Sequence, residues 1–165
     1  MNSNIRRIGQ AERGSVLIIS MILMIMLTVI GLAMLSLNTT QTRIAGNSAD
    51  SQIAYQTAEG ALNLAAQNIQ AGNYTLADFL TNTNGHYTFN PSTPRRWTTV
   101  NWTDPNAAVQ CTSCGKSIKA AYIIEYLPPV SIKGGGQKHP YRITAWATGM
   151  SGKSPVLLQG TVITQ

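Results

Sequence analysis

From Ser15 to Leu37 the chain reads SVLIISMILMIMLTVIGLAMLSL, apolar almost throughout and free of charged side chains. As a helix this run is about 35 Å long, enough to cross a hydrocarbon core of about 30 Å. Lipid offers no partner to a bare peptide group, so helix is the predicted state. Ser20 and Thr28 fit such a helix because their hydroxyls can bond back to its carbonyls. Gly31 weakens it locally and permits close approach of a second helix.

After Asn38 the pattern changes without stopping. Ala54, Ala58, Ala61 and Ala65 recur at helical spacing, with Tyr55, Leu62 and Ile69 beside them. This is one apolar stripe, the mark of an amphipathic helix lying on a core. No proline interrupts the chain before Pro91. Gly46-Asn47 and Gly60 weaken the helix locally, and Gly72-Asn73 supplies a stop. A nearly continuous helix over 15–71 is therefore predicted, with 15–37 in the membrane and 38–71 on a globular head.

Residues 72–165 form that head. Within 72–118, Leu76 to Leu80 suggests a helical turn after Thr75. His86–Thr88 and the run WTTVNW at 97–102 suggest short strands punctuated by Pro91, Pro94 and Pro105. The region is either a binding surface carried on loops or tolerated filler. Three longer strands follow: Ala120–Leu127, ended by Pro128-Pro129; Tyr141–Thr148, with Tyr141, Ile143, Ala145 and Ala147 on one face; and Pro155–Ile163. The triple glycine 134–136 makes a flexible loop, and Gly149 to Lys153 a short hairpin connection. The expected class is α+β, a long N-terminal helix packed on a small antiparallel sheet.

Charge adds orientation. Only 11% of residues are charged, and the formal net charge is +6. Arg6, Arg7 and Arg13 stand just before the apolar run, which places residues 1–14 in the cytoplasm and the head across the membrane. The run exceeds the usual apolar core of a cleaved secretory signal, and no small-x-small site separates it from a mature domain. A second basic excess, from Lys116 to Lys153, is read as a solvated face rather than a nucleic-acid surface.

Candidate chemistry is sparse. Cys111 and Cys114 form one CxxC pair, too few ligands for a tetrahedral zinc site. A local disulfide is the expected outcome in an oxidising compartment, with free thiols and redox function as the alternatives. His86 and His139 are isolated, and Glu59 and Glu125 are lone acids in different elements. No metal, cofactor or catalytic constellation is predicted, and the chain reads as a non-enzyme.

The leader ending in Arg13-Gly14, followed by an apolar helix that continues into an amphipathic one, resembles the type IV pilin architecture. The run RGSVLIISMILMIMLTVIGLAML with the following TTQTRIAGNSADSQIAYQTAEGAL is similar to the N-terminal region of PilX-type minor pilins. YIIEYL and YRITAWATGM in the C-terminal half resemble that family more loosely. The resemblance implies a pilin-like fold and a leader cut between Gly14 and Ser15 by a prepilin peptidase, with Ser15 then N-methylated. It implies an inner-membrane subunit with a periplasmic body that passes into an extracellular pilus. It further implies co-assembly with other minor pilins, the major pilin and a large tip adhesin. Such a subunit would prime assembly and support twitching motility and adhesion.

Two positions depart from the common pilin pattern. Ser15 stands where phenylalanine is usual, and Ile19 where a glutamate pairs with a neighbouring subunit's amine. PilX-like pilins and type II secretion tip pseudopilins share this lack, which suits a place at the tip. Thr28 and Gly31 on the same helix count as assembly positions. Glu59 is open to pairing with a neighbouring subunit or to solvent. The alternatives are a type II secretion tip pseudopilin, a membrane-anchored periplasmic binding protein, and a tethered thiol oxidoreductase resting on Cys111 and Cys114.

Overall fold

The computed structural model describes residues 11–114, 119–131 and 136–164. Leader residues 1–10 and loop glycines Gly134 and Gly135 lie outside the described residues. The chain divides into two units, 1–46 and 47–165. Helix α1 (Ala11–Gln70) contributes to both. It begins before Ser15 because Ala11, Glu12 and Arg13 are good helix formers and no proline stands before Gly14. In the first unit it is the helix long and apolar enough to cross a membrane, with mean hydropathy 2.9 over its most apolar window.

In the second unit α1 buries a narrow stripe. Ala54, Ala58, Ala61 and Ala65 are fully buried and Ile69 nearly so. Tyr55 departs from the predicted stripe and is 51% exposed. It follows Ala54 by one residue, about 100° around the helix, and so points off the contact face. The helix ends where glycine allows it: Gly72 takes φ 72°, and the Asn73 N–H reaches back to the Asn68 carbonyl at 3.1 Å.

Among the described residues six strands form the sheet of the second unit: β1 (His86–Thr88), β2 (Val109–Gln110), β3 (Ala120–Tyr126), β4 (Val130–Ser131), β5 (Gln137–Thr148) and β6 (Pro155–Thr164). Strands β3, β5 and β6 make the predicted antiparallel meander, in register at Ile124↔Ile143 and Ala145↔Leu158. β4 continues beside β5, with Val130 opposite Lys138. The far edge of β3 carries β2 antiparallel and β1 parallel, so the sheet is mixed. The hydrophobic side chains of β3 divide between its faces. Tyr122 and Ile124 join Ile143, Ala145 and the helix stripe in one core. Ala121 and Ile123 meet Tyr87, Ala108, Trp97, Val100 and Trp102 in another. The sheet is therefore covered on both faces, by α1 and by the loop region.

Two short helices lie in that region, α2 (Leu76–Leu80) and α3 (Arg96–Thr99). The first matches the predicted turn and buries Phe79 completely. The second replaces the strand expected at 97–102. Trp97 and Val100 are three apart, which is helical spacing, and one turn brings both to the second core.

Gly60 shows how closely α1 approaches its neighbours. A Cβ there would collide with the backbone carbonyl of Cys114. Alanine would remove the roughly 1 kcal/mol helix penalty of glycine but overpack a tight contact, at about 1–3 kcal/mol. Gly60→Ala is expected to lower the thermal midpoint of the purified full-length chain. Gly46→Ala, where a Cβ meets nothing within 4 Å, should leave it unchanged or raise it. Circular dichroism melts check the pair, and a midpoint for Gly60→Ala at or above wild type would contradict the packing account.

Candidate assembly site

The first unit offers a bare apolar surface. Val16 to Leu35 bury none of their large side chains, and Ile19 is 55% exposed. Its polar atoms are quiet. Ser20 Oγ donates to the Leu17 carbonyl at 2.9 Å, and Thr28 Oγ1 to the Ile25 carbonyl at 2.7 Å. Both hydroxyls are thus satisfied within the helix, as lipid or a packed apolar interface requires. A Cβ at Gly14 or Gly31 would meet nothing within 4 Å. Packing inside the chain therefore does not call for glycine at either position. What this surface can do is lie against lipid or against other helices.

In the second unit Glu59 is exposed on α1, directly before Gly60, with no ion pair among the described residues. Cys111 and Cys114 are joined as a disulfide with Cα atoms 5.6 Å apart. Both half-cystines pack against the helix cores, and the Cys111 N–H donates to the Ala120 carbonyl at 2.8 Å, which ties the loop to β3. The described structure brings Cys111, Cys114 and Glu59 to one stretch of the helix. It leaves Gly14, Ser15, Ile19, Thr28 and Gly31 in the other unit.

Several contacts escape a reading of the chain alone. Glu125 is not a lone acid: it is 3% exposed, and Arg142 Nε donates to its Oε2 at 2.8 Å. The two residues face each other across β3 and β5, so only the sheet register reveals the pair. His86 lies on β1, half-buried among the rings of Tyr74 and Phe79, and burial pushes its pKa down against the pull of Asp78. His139 lies on β5, with Nδ1 hydrogen-bonded to the Tyr126 hydroxyl at 2.8 Å. Among the described residues no three His, Cys, Asp or Glu side chains cluster as metal ligands.

Asp50 is the contact with the longest reach. Its carboxylate accepts from the Ser151 N–H at 3.0 Å and from the Ser151 hydroxyl at 2.6 Å. A Cβ at Gly149 would fall on that carboxylate. Asp50 thereby ties the start of the second unit's helical segment to the β5–β6 turn.

The family model described as PilX N-terminal matches residues 13–63. That described as Type IV pilus assembly protein PilX C-term matches residues 50–164. The chain belongs to the PilX family. It is a type IV pilus minor pilin, a structural subunit that associates with other pilus components. Its apolar N-terminal helix accords with membrane anchoring and incorporation into a pilus. No match is found among curated proteins or solved structures. The two PilX matches overlap on residues 50–63. That overlap takes in the Asp50 tie, the buried alanines 54, 58 and 61, and the Gly60 contact.

The Asp50 tie has a definite pH signature. Hydrogen bonds from the Ser151 hydroxyl, then from its backbone N–H, hold the carboxyl below its ordinary range. A depressed pKa means the stabilisation is present above the unfolded value of about 3.9 and is lost as pH falls through the folded one. The Ser151 amide proton shift, followed by NMR, should move with an inflection below about 3.9 and stay flat in Asp50→Asn. An identical titration in the variant would contradict the assignment.

Proposed function

We propose that this minor pilin enters the pilus early, at or near the tip, and primes assembly together with other minor pilins. The observation that carries the proposal is Ile19. Between Ser15 and Leu37 the helix has no carboxylate, so it has no charge to offer a subunit already ahead of it. A charged pair in lipid is favourable only when both members meet. The subunit can still present its own amine and its bare apolar surface to those that follow. In this reading Gly14-Ser15 is the peptidase site, and Ser15 becomes the methylated N-terminus. Arg6, Arg7 and Arg13 hold the leader in the cytoplasm while the head waits in the periplasm.

Thr28 and Gly31 lie on the helix surface that packs in the filament, Gly31 allowing the closest approach. Glu59, exposed in the second unit, is open to a partner subunit. The head then sits where a large tip adhesin joins, which links the protein to twitching motility and adhesion.

Deleting the gene should sharply reduce surface pili and twitching while the major pilin stays abundant in the membrane. The wild-type gene should restore both. A copy with Ile19→Glu should restore them poorly, because an unpaired carboxylate in lipid is costly or must take a proton. Normal piliation in the deletion strain, or full rescue by Ile19→Glu, would contradict the priming role.

A further inference from the structure

The loop region of the second unit holds a cleft of about 340 Å³ that is unusually rich in arginine. Arg95 and Arg96 line it from the start of α3, and Arg142 from β5. The carboxylate among its lining residues is Glu125, already committed to Arg142 Nε. The cleft therefore carries an excess of two positive charges. Two of its guanidinium groups are positioned in advance. The Arg96 guanidinium sits 4.3 Å from the centroid of the Tyr87 ring, and that of Arg142 sits 5.2 Å from the Phe89 centroid. Arginine forks held against aromatic faces lose less entropy when they grip an anion, and their geometry matches a carboxylate.

The cleft does not end at the arginines. An adjoining hollow shares Phe89, Pro91 and Arg96 with it and runs on to Leu80, which is 65% exposed. An occupant that fits both parts brings a carboxylate to the arginines and an apolar group to Leu80 and Phe89. An inorganic anion satisfies the first part and leaves the second empty. A peptide in which an acidic residue adjoins an apolar one satisfies both.

We propose that the cleft between the 89–96 loop and β5 docks an acidic, partly apolar peptide segment of a partner protein, with its carboxylates held by Arg95, Arg96 and Arg142. The site is independent of the apolar helix. Binding to the isolated chain is read without a pilus, so failure here leaves the priming role untouched, and failure of priming leaves this site untouched.

The test uses the full-length chain in detergent micelles and a fluorescein-labelled Gly-Glu-Leu-Glu-Gly peptide, followed by anisotropy. The peptide should bind, and binding should weaken as salt rises. Its Gly-Gln-Leu-Gln-Gly counterpart should bind about tenfold more weakly or worse, because charge-assisted bonds are lost. Arg95→Gln should weaken the acidic peptide by a similar factor. Arg95 is exposed and in no ion pair among the described residues, so this variant should fold normally. No binding, equal affinity for the two peptides, or an unchanged Arg95→Gln would overturn the proposal. So would displacement of the peptide by an equal concentration of inorganic phosphate, which would mark a simple anion site. Displacement by phosphatidylglycerol added to the micelles would point to lipid and equally overturn it.

Discussion

A helix that buries none of its large side chains within its own chain must find its contacts elsewhere. Between Val16 and Leu35 leucine, isoleucine, valine and methionine stand open on every side of α1. Each such side chain gains about 1.5–3 kcal/mol on leaving water, so the segment as a whole is incompatible with an aqueous surface. Lipid can cover it, and so can other helices of the same kind. Ser20 and Thr28 turn their hydroxyls back to the helix, and Gly31 has room beside it. The segment is thus acceptable in either setting, which accords with membrane anchoring and with incorporation into a pilus.

The second unit is built on the opposite principle, because its helix segment is covered by its own sheet. The alanine stripe lets strands and loop come close, and Gly60 lets the carbonyl of the disulfide loop come closer still. Asp50 fastens the β5–β6 turn to the same helix. On the other face of the sheet, Tyr87, Trp97, Val100 and Trp102 anchor the loop region over Ala121 and Ile123. This anchoring lets a loop with little regular structure hold Arg96 against Tyr87 in the cleft that Arg142 also lines. The head therefore presents a defined surface, even where its chain is mostly turns.

The features legible in the chain were those with local signals. The apolar run, the alanine period and the Gly72 stop declare α1. Apolar runs bounded by Pro128-Pro129 and by Gly149 and Gly152 declare the meander. Features that depend on distant pairing were not legible. Strand β1 has three residues and finds β3 far along the chain, so nothing local marks its parallel pairing. Trp97 and Val100 satisfy a helical turn better than the alternation read there. The Glu125–Arg142 pair depends on register, and the Asp50–Ser151 contact spans 101 positions. Membrane physics made legible that Thr28 can satisfy its hydroxyl within the helix and that Gly31 leaves room beside it. The roles proposed for Gly14, Ser15 and Ile19 rest on family resemblance, since no contact among the described residues expresses them.

The most direct test of a helix surface made for other subunits is to ask what touches it in a finished filament. A photo-cross-linking side chain placed at Met24, 73% exposed on α1, reports its nearest neighbours when pili are sheared from cells and irradiated. Covalent adducts with the helices of other pilins are expected in the sheared fraction. Adducts confined to lipid in the membrane fraction, with none to pilin in the filaments, would contradict it.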